Sequence, residues 1–369
     1  MIYYVPLLII YAICGAVELN HSQIRKPRRL YIIIMLFPLF CLTAFRDVSI
    51  GNDTITYSDM YNTVSQADNL IEAWLISVME NGYVTFCYIC SLIGMSFFQF
   101  QILFSSFIFV AFGIFIYKFS VNIGLTCFLF VSAGCMSGAM NIMRSYGAVA
   151  VLLFAIPYIL HKQFWRFLFL VLLAGSFHKT ALTFLIMYPL CVRKYDRKAI
   201  TFFIIGSVVL LYFSSLFFKW ITSRLGVYQG YLDSEYFGNT NMLGVLVELF
   251  IVSFVAFFSY SMGYFKVKQF ECSVNKEKVI TIDYYNKMSL LVTFCLSIIG
   301  LSNTIMGRIS LYYNVIFIIL IPSILIAKSD RIYRMFVFDL IVFLYGAYFI
   351  IIRLFRPEWN MITPYVWGF

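Results

Sequence analysis

Apolar runs alternate with short polar segments along the whole chain, and most runs are long enough for a membrane helix. A spanning helix needs about 20 residues. In lipid the backbone has no water to bond, so only helices and closed barrels cross. Barrel strands alternate apolar and polar at every second position, and runs such as residues 167–174 and 316–326 do not. The pattern predicts an all-α, polytopic transmembrane helical bundle of roughly 10–12 spans. It reads as a single integral membrane domain over residues 1–369, without repeats or a soluble domain. Residues 1–17 lack a basic leading region and a small-residue cleavage site, which predicts a retained first helix rather than a signal peptide.

Two segments strain this scheme. Gly82 to Tyr117, 36 residues, is long for one span and short for two. A broken or re-entrant helix near Ser96 to Gln101 resolves it, since such breaks persist where protein or water surrounds them. Phe164 to Val192 reads as a short hairpin with Ser176-Phe177-His178-Lys179 at its tip. One long tilted helix is the alternative, and it would move Arg144 to the opposite side.

Composition narrows the class. The chain is 62% hydrophobic, 20% aromatic and 12% charged, with a mean hydropathy of +0.88. A soluble domain runs nearer half apolar and about one quarter charged. The formal charge of +10 does not point to nucleic acid, because the bases sit in inter-helix loops. With the basic segments 21–29, 193–198, 266–287 and 328–334 placed inside, together with Lys118, Lys162 and Arg166, 19 of the 27 Lys and Arg residues face the cytoplasm. That is the bias of inner-membrane proteins. The outward loops then lie near 46–81, 219–241 and 353–369, and both termini are external. The first loop carries six acids and one base. The nine cysteines lie mostly inside apolar runs, where they act as small hydrophobes. No metal site and no cofactor are expected.

Four polar groups fall at the outer membrane boundary in this topology. The first holds Arg46, Asp47, Asp53 and Tyr57; the second runs from Ser137 to Arg144 and includes Asn141. The third is His178-Lys179. The fourth runs from Asn303 to Arg308 and leads into Tyr312-Tyr313. Each has an ordinary explanation. A helix-end arginine snorkels to headgroups, an interfacial histidine bonds a carbonyl, and Asp53 after Gly51-Asn52 reads as a turn residue. Glu248 and Asp339, in or near apolar spans, read as structural partners for neighbouring helices. Against that, Arg46, Arg144 and Arg308 lie on the outer side, against the charge bias and each near Gly, Asn or Ser. The guanidinium fork suits phosphate oxygens. A histidine carries protons near neutral pH, and Asp53 is a carboxylate able to accept a proton from an attacking hydroxyl. The outer tyrosines, Tyr57, Tyr61, Tyr228, Tyr231 and Tyr236, are candidates for stacking on sugar rings.

At these residues the chain resembles the Wzy-type polysaccharide polymerases, in particular the EpsG-like branch. Arg46, Gly51, Asp53 and Tyr57 match an early Arg-x-x-x-Gly-x-Asp-x-x-x-Tyr element, with one extra residue between Arg and Gly. Asn141 and Arg144 match an Asn-x-x-Arg-Gln element, with Ser145 in place of Gln. Ala174, Phe177 and His178 match Ala-x-x-Phe-His. Arg308 precedes aromatic residues, and Pro364-Tyr365 ends the series. The resemblance implies an inner-membrane, lipid-dependent glycosyltransferase acting on undecaprenyl-pyrophosphate-linked oligosaccharide at the periplasmic face. It implies O-antigen or a related surface polysaccharide as product, with a chain-length regulator as a candidate partner. In that scheme Arg144 and Arg308 hold the pyrophosphate, with Arg46 as a third contact. Asp53, or less directly Asp47, activates the acceptor hydroxyl, while His178 assists or manages a proton. Tyr57, Asn141 and Tyr312 complete the expected substrate contacts. A flippase of lipid-linked oligosaccharide and an O-antigen ligase are the competing readings.

Overall fold

The computed structural model describes residues 1–20, 29–195, 197–225, 242–266, 268–272, 278–301, 309–327 and 330–369. The described residues are almost wholly helical, as the apolar runs predict. The one addition is a short antiparallel pair, β1 (Phe270–Cys272) with β2 (Lys278–Ile280), inside the basic 266–287 segment. Among the described residues four helices are long and apolar enough to cross a membrane: Phe97–Phe119, Met143–Leu160, Leu243–Ser261 and Arg331–Phe355. A fifth crossing arises if Ile123–Ser132 and Cys135–Asn141, bent by 48°, count as one broken span. Six further apolar helices among the described residues are 10–17 residues long. The protein is a polytopic helical membrane protein.

The chain forms two compact units. The first comprises Met1–Tyr158, Trp165–Leu182 and Phe317–Phe369. Its first helices are α1 (Tyr4–Asn20), α2 (Arg29–Ala44), α3 (Thr54–Val64), α4 (Leu70–Ile76), α5 (Asn81–Leu92) and α6 (Phe97–Phe119). Then follow α7 (Ile123–Ser132), α8 (Cys135–Asn141), α9 (Met143–Leu160) and α10 (Phe164–Phe177). Every residue of α7 is buried, as expected of a helix that is apolar all round. Its start is fixed by α1. Asn122 caps it through the Leu125 N–H at 2.8 Å and donates to the Gly15 carbonyl at 2.9 Å. The Glu18 carboxylate accepts the Ile123 and Gly124 N–H groups at 2.7 and 3.0 Å, where the helix dipole favours an anion. A Cβ on Gly124 would lie 2.2 Å from the Gly15 nitrogen, so α1 and α7 touch backbone to backbone. Small residues at such crossings are typical of membrane helices. The opposite faces of α1 and α2 expose Ile9, Ile13, Ile33, Ile34 and Phe37, an apolar surface suited to lipid.

The strained segment 82–117 resolves into α5 and α6, separated by a short break. The break ends at Ser96, whose hydroxyl and the Gln99 side chain form a reciprocal capping box at the start of α6. Gln101, expected at the break, lies inside α6 and donates to the Ala44 and Arg46 carbonyls at 3.0 and 2.9 Å. Helix α10 stops at Phe177, and a 3-10 run, Lys179–Ile186, follows, so the chain does break at the expected hairpin tip.

The second unit comprises Ile159–Phe164 and Thr183–Ile316. Its helices include α11 (Met187–Val192), α12 (Arg197–Leu225), α13 (Met242–Ser261), α14 (Ile282–Gly300) and α15 (Leu311–Asn314). Tyr313 in α15 ties it together, accepting Ser289 Oγ at its carbonyl at 2.8 Å and donating its hydroxyl to the Thr183 carbonyl at 2.7 Å. Glu248 accepts a hydrogen bond from Ser310, in keeping with a structural partner. The remaining helices, α16 (Phe317–Ile326) and α17 (Arg331–Phe355), belong to the first unit and pack against α7.

Candidate functional site

Polar side chains of the first unit gather where four helices begin or end. Asn141 is the last residue of α8, and Arg144 opens α9 after a one-residue break at Ile142. His178 follows the end of α10, and Glu80 caps the start of α5. Irregular backbone of this kind leaves polar groups available inside a membrane protein.

Glu80 is the centre of the group. Its Oε2 pairs with Arg144 Nη1. Its Oε1 lies 2.8 Å from His178 Nδ1 and accepts the Lys179 N–H at 3.2 Å. The Glu80 side chain is 8% exposed, against 23% for Arg144 and 20% for His178. The carboxylate is thus an internal fixture, while Arg144 and His178 both reach the surface. The Arg144 guanidinium also lies 5.9 Å from the centroid of the buried Tyr57 ring. Asp53 immediately precedes α3, four residues before Tyr57, is half-buried, and is close enough to act electrostatically on the Tyr57 phenol. Burial raises the Tyr57 phenol above its usual range, and the Arg144 charge opposes that rise.

Close packing sets this geometry. A Cβ on Gly82 would sit 2.2 Å from Ser176 Oγ and 2.7 Å from the Ser176 carbonyl. Only glycine lets the first turn of α5 lie against the last turn of α10, which holds Glu80 and His178 together. Gly82→Val therefore separates the helices, with a destabilisation of about 1–3 kcal/mol. Thermal melts of the variant check this.

The Glu80 carboxyl responds to opposed effects. Burial alone would raise it, but the His178 hydrogen bond, the Arg144 charge and the Lys179 N–H outweigh burial and bring it to about 2. A carboxylate depressed on folding stabilises the native state above its unfolded value, here 4.5, and that stability is lost as pH falls through about 2. The contribution is roughly 2–3 kcal/mol. Melting temperatures in detergent should fall between about pH 4.5 and pH 2, and the fall should be smaller in Glu80→Ala.

The remaining expected residues have varied placements. Arg46 is fully buried. Its guanidinium donates to the Thr43 carbonyl and, at 2.9 Å, to the Met140 carbonyl, and burial lowers its pKa to about 10. It braces the junction of α2 and α8 from inside. Asp47 is held by the Ser49 N–H and hydroxyl at 2.9 and 2.7 Å, which keep its carboxyl below the usual range. Asn141 accepts the Asn52 N–H and donates to Asn360 at 2.9 Å. Tyr57 and Tyr61, expected as outward sugar-stacking rings, are instead packed in the core beside Tyr83 and Phe100. Tyr312 is buried in the second unit. Arg308, Tyr228, Tyr231 and Tyr236 lie outside the described residues. Arg144, His178, Asp53 and Tyr57 thus belong to one neighbourhood of the first unit.

The sequence profile of the EpsG family matches residues 29–367, a span that takes in each residue of this cluster. The chain belongs to the EpsG family. No curated protein and no solved structure matches it. Among EpsG-family features expected from sequence, the early Arg-Gly-Asp-Tyr element, the Asn-Arg element and the Phe-His element all lie in the first unit. The terminal Pro364-Tyr365 does too: the Tyr365 hydroxyl donates to the Leu42 carbonyl at 2.8 Å. Membership and the multi-span fold fit a polysaccharide-related membrane enzyme in general.

Glu80 was not singled out by sequence reasoning. It is one acid among six in its segment and lies 64 residues from Arg144 and 98 from His178. The available signal was indirect. A partly buried arginine calls for an anion, and an acid just before a helix-starting Asn-Gly is well placed to supply it.

Proposed function

We propose that this protein polymerises undecaprenyl-pyrophosphate-linked oligosaccharide repeat units into O-antigen or a related surface polysaccharide. It would do so at the periplasmic face of the bacterial inner membrane. The observation that carries the reading is the gathering of Arg144 and His178 on Glu80, beside Tyr57 and Asp53, in an EpsG-family membrane protein. In this scheme six shorter apolar helices cross along with the longer ones, giving 10 or 11 spans among the described residues, within the expected 10–12.

The acceptor hydroxyl of one lipid-linked unit attacks the anomeric carbon of the growing chain. A glycosidic C–O bond forms, the anomeric bond to phosphate breaks, and its electron pair leaves with the lipid pyrophosphate. Arg144 holds that pyrophosphate, because a fixed cation stabilises charge that grows in the transition state. Asp53 and His178 are groups near Arg144 able to take the hydroxyl proton. Asn141 and Tyr57 shape the site, Arg46 supports it from behind, and Asp47 is a further substrate contact.

Surface glycan from cells lacking the gene, run as a ladder and then complemented, tests the reading. Collapse of long chains to lipid A core bearing a single repeat unit supports a polymerase, since export and ligation survive. Complete loss of repeat units on the core points instead to a flippase or an O-antigen ligase.

A further inference from the structure

We infer that Glu80 is a positioning residue that fixes His178 with its proton on Nδ1, so that Nε2 presents a lone pair to the acceptor hydroxyl. The inference deepens the polymerase reading by assigning to His178 the base role that sequence gave to Asp53.

The argument is geometric. Glu80 Oε1 lies 2.8 Å from His178 Nδ1, and the same oxygen accepts the Lys179 N–H at 3.2 Å. A carboxylate only accepts hydrogen bonds, so Nδ1 must donate. The imidazole is also tied at its backbone, its N–H bonded to the Ala174 carbonyl at 3.0 Å and its carbonyl accepting the Ala181 N–H at 3.0 Å. Among the described residues Nε2 makes no hydrogen bond to protein, and the His178 side chain is 20% exposed. Glu80 faces the ring directly; Arg144 shares that carboxylate, Tyr57 and Tyr83 act on Arg144, Asp53 acts on Tyr57, and Lys179 is the next residue in the chain. Of these, only Glu80 bonds the ring. A base oriented by a buried carboxylate through Nδ1 is the arrangement that keeps an imidazole in its working tautomer.

The step balances within the proposed reaction. His178 Nε2 takes the hydroxyl proton as the glycosidic bond forms and the anomeric C–O bond to phosphate breaks. Glu80 remains a carboxylate and stabilises the imidazolium. The proton then passes to water or to the departing pyrophosphate held by Arg144.

Glu80→Gln gives a signed test. Arg144 and the Lys179 N–H can only donate, but the charged Arg144 pair outweighs the neutral 3.2 Å bond from Lys179, so Arg144 draws the amide oxygen to itself. The amide NH2 is then left facing Nδ1, and the ring proton moves to Nε2. The chain has three histidines, so histidine-selective 15N labelling gives few signals, and His178→Asn assigns the one of interest. At a pH alkaline enough for neutral imidazole, wild-type His178 is expected protonated at Nδ1, and Glu80→Gln at Nε2. Turnover should fall roughly 100-fold or more, with the KM for the lipid-linked donor within a few-fold of wild type. A wild-type proton on Nε2 overturns the inference, and so does a Glu80→Gln variant with unchanged tautomer and rate. If Glu80→Gln does not fold, the wild-type spectrum alone decides. If the wild type makes no polymer, the polymerase reading fails while the spectrum still reports on the tautomer.

Discussion

Arg144→Ala is expected to stop chain elongation, leaving cells with core bearing a single repeat unit. Two separable effects are at work. One is structural: the substitution leaves the Glu80 carboxylate, 8% exposed, without its ion-pair partner. Breaking a buried pair from one side destabilises by about 3–5 kcal/mol, at the lower end here because the Arg144 side chain is 23% exposed. The other is chemical: in the proposed mechanism Arg144 is the cation facing the leaving pyrophosphate, and its loss slows transfer by about 100- to 1,000-fold. The double variant Arg144→Ala/Glu80→Ala distinguishes them. It removes the unpaired charge and recovers much of the melting temperature, yet it elongates no better than Arg144→Ala. Arg144→Lys keeps the charge but loses the planar fork, so it should retain the fold and only part of the activity. A stable Arg144→Ala protein that still makes full-length polymer would remove Arg144 from the mechanism.

Removal of residues 357–369 should be still more damaging to stability. This tail runs back across the first unit and is bonded along nearly its whole length. The Glu358 carbonyl accepts Asn52 Nδ2 at 3.0 Å, Asn360 accepts Asn141 Nδ2, and the Met361 carbonyl accepts the Gly51 N–H at 3.0 Å. The Ile362 carbonyl accepts the Tyr4 hydroxyl at 3.2 Å. Tyr365 donates to Leu42, the Val366 carbonyl accepts the Asp47 N–H at 3.0 Å, and the Gly368 N–H donates to Phe45 at 2.9 Å. At about 1 kcal/mol for each net bond, with Arg46 uncovered as well, truncation after Arg356 is worth several kcal/mol and should prevent accumulation in the membrane. Immunoblots of membrane fractions and detergent melts measure this. Trp367→Ala, which removes ring contacts with Tyr3, Tyr365 and Phe369, should produce a milder fall of about 1–3 kcal/mol.

How much of this was legible in the sequence depended on the range of the interaction involved. Helical membrane character was legible because long apolar runs are local. The break before α6 was legible within a few residues, since Ser96 and Gln99 spell out a cap in consecutive sequence. Arg144 and His178 stood out as polar groups against apolar surroundings, and the structure places them on one carboxylate. The identity of that carboxylate was not legible, because nothing around Glu80 distinguishes it from the other acids of its segment. Nor was the burial of Arg46, which depends on Met140 contributing a carbonyl 94 residues away and on the returning tail. Tyr57 and Tyr61 looked like exposed loop residues, but α3 is an amphipathic helix that turns both rings inward, with Ile55 and Thr56 outside.

Transfer of a glycan from one lipid pyrophosphate to another can be followed with purified protein. The protein is reconstituted in liposomes with a defined undecaprenyl-pyrophosphate-linked repeat unit as the sole sugar source. Products are then separated by size and released lipid pyrophosphate is counted. The account predicts a ladder of repeat-unit lengths with one lipid pyrophosphate freed for each new linkage, and neither product with Arg144→Ala. Movement of the intact unit across the bilayer without any ladder would contradict it.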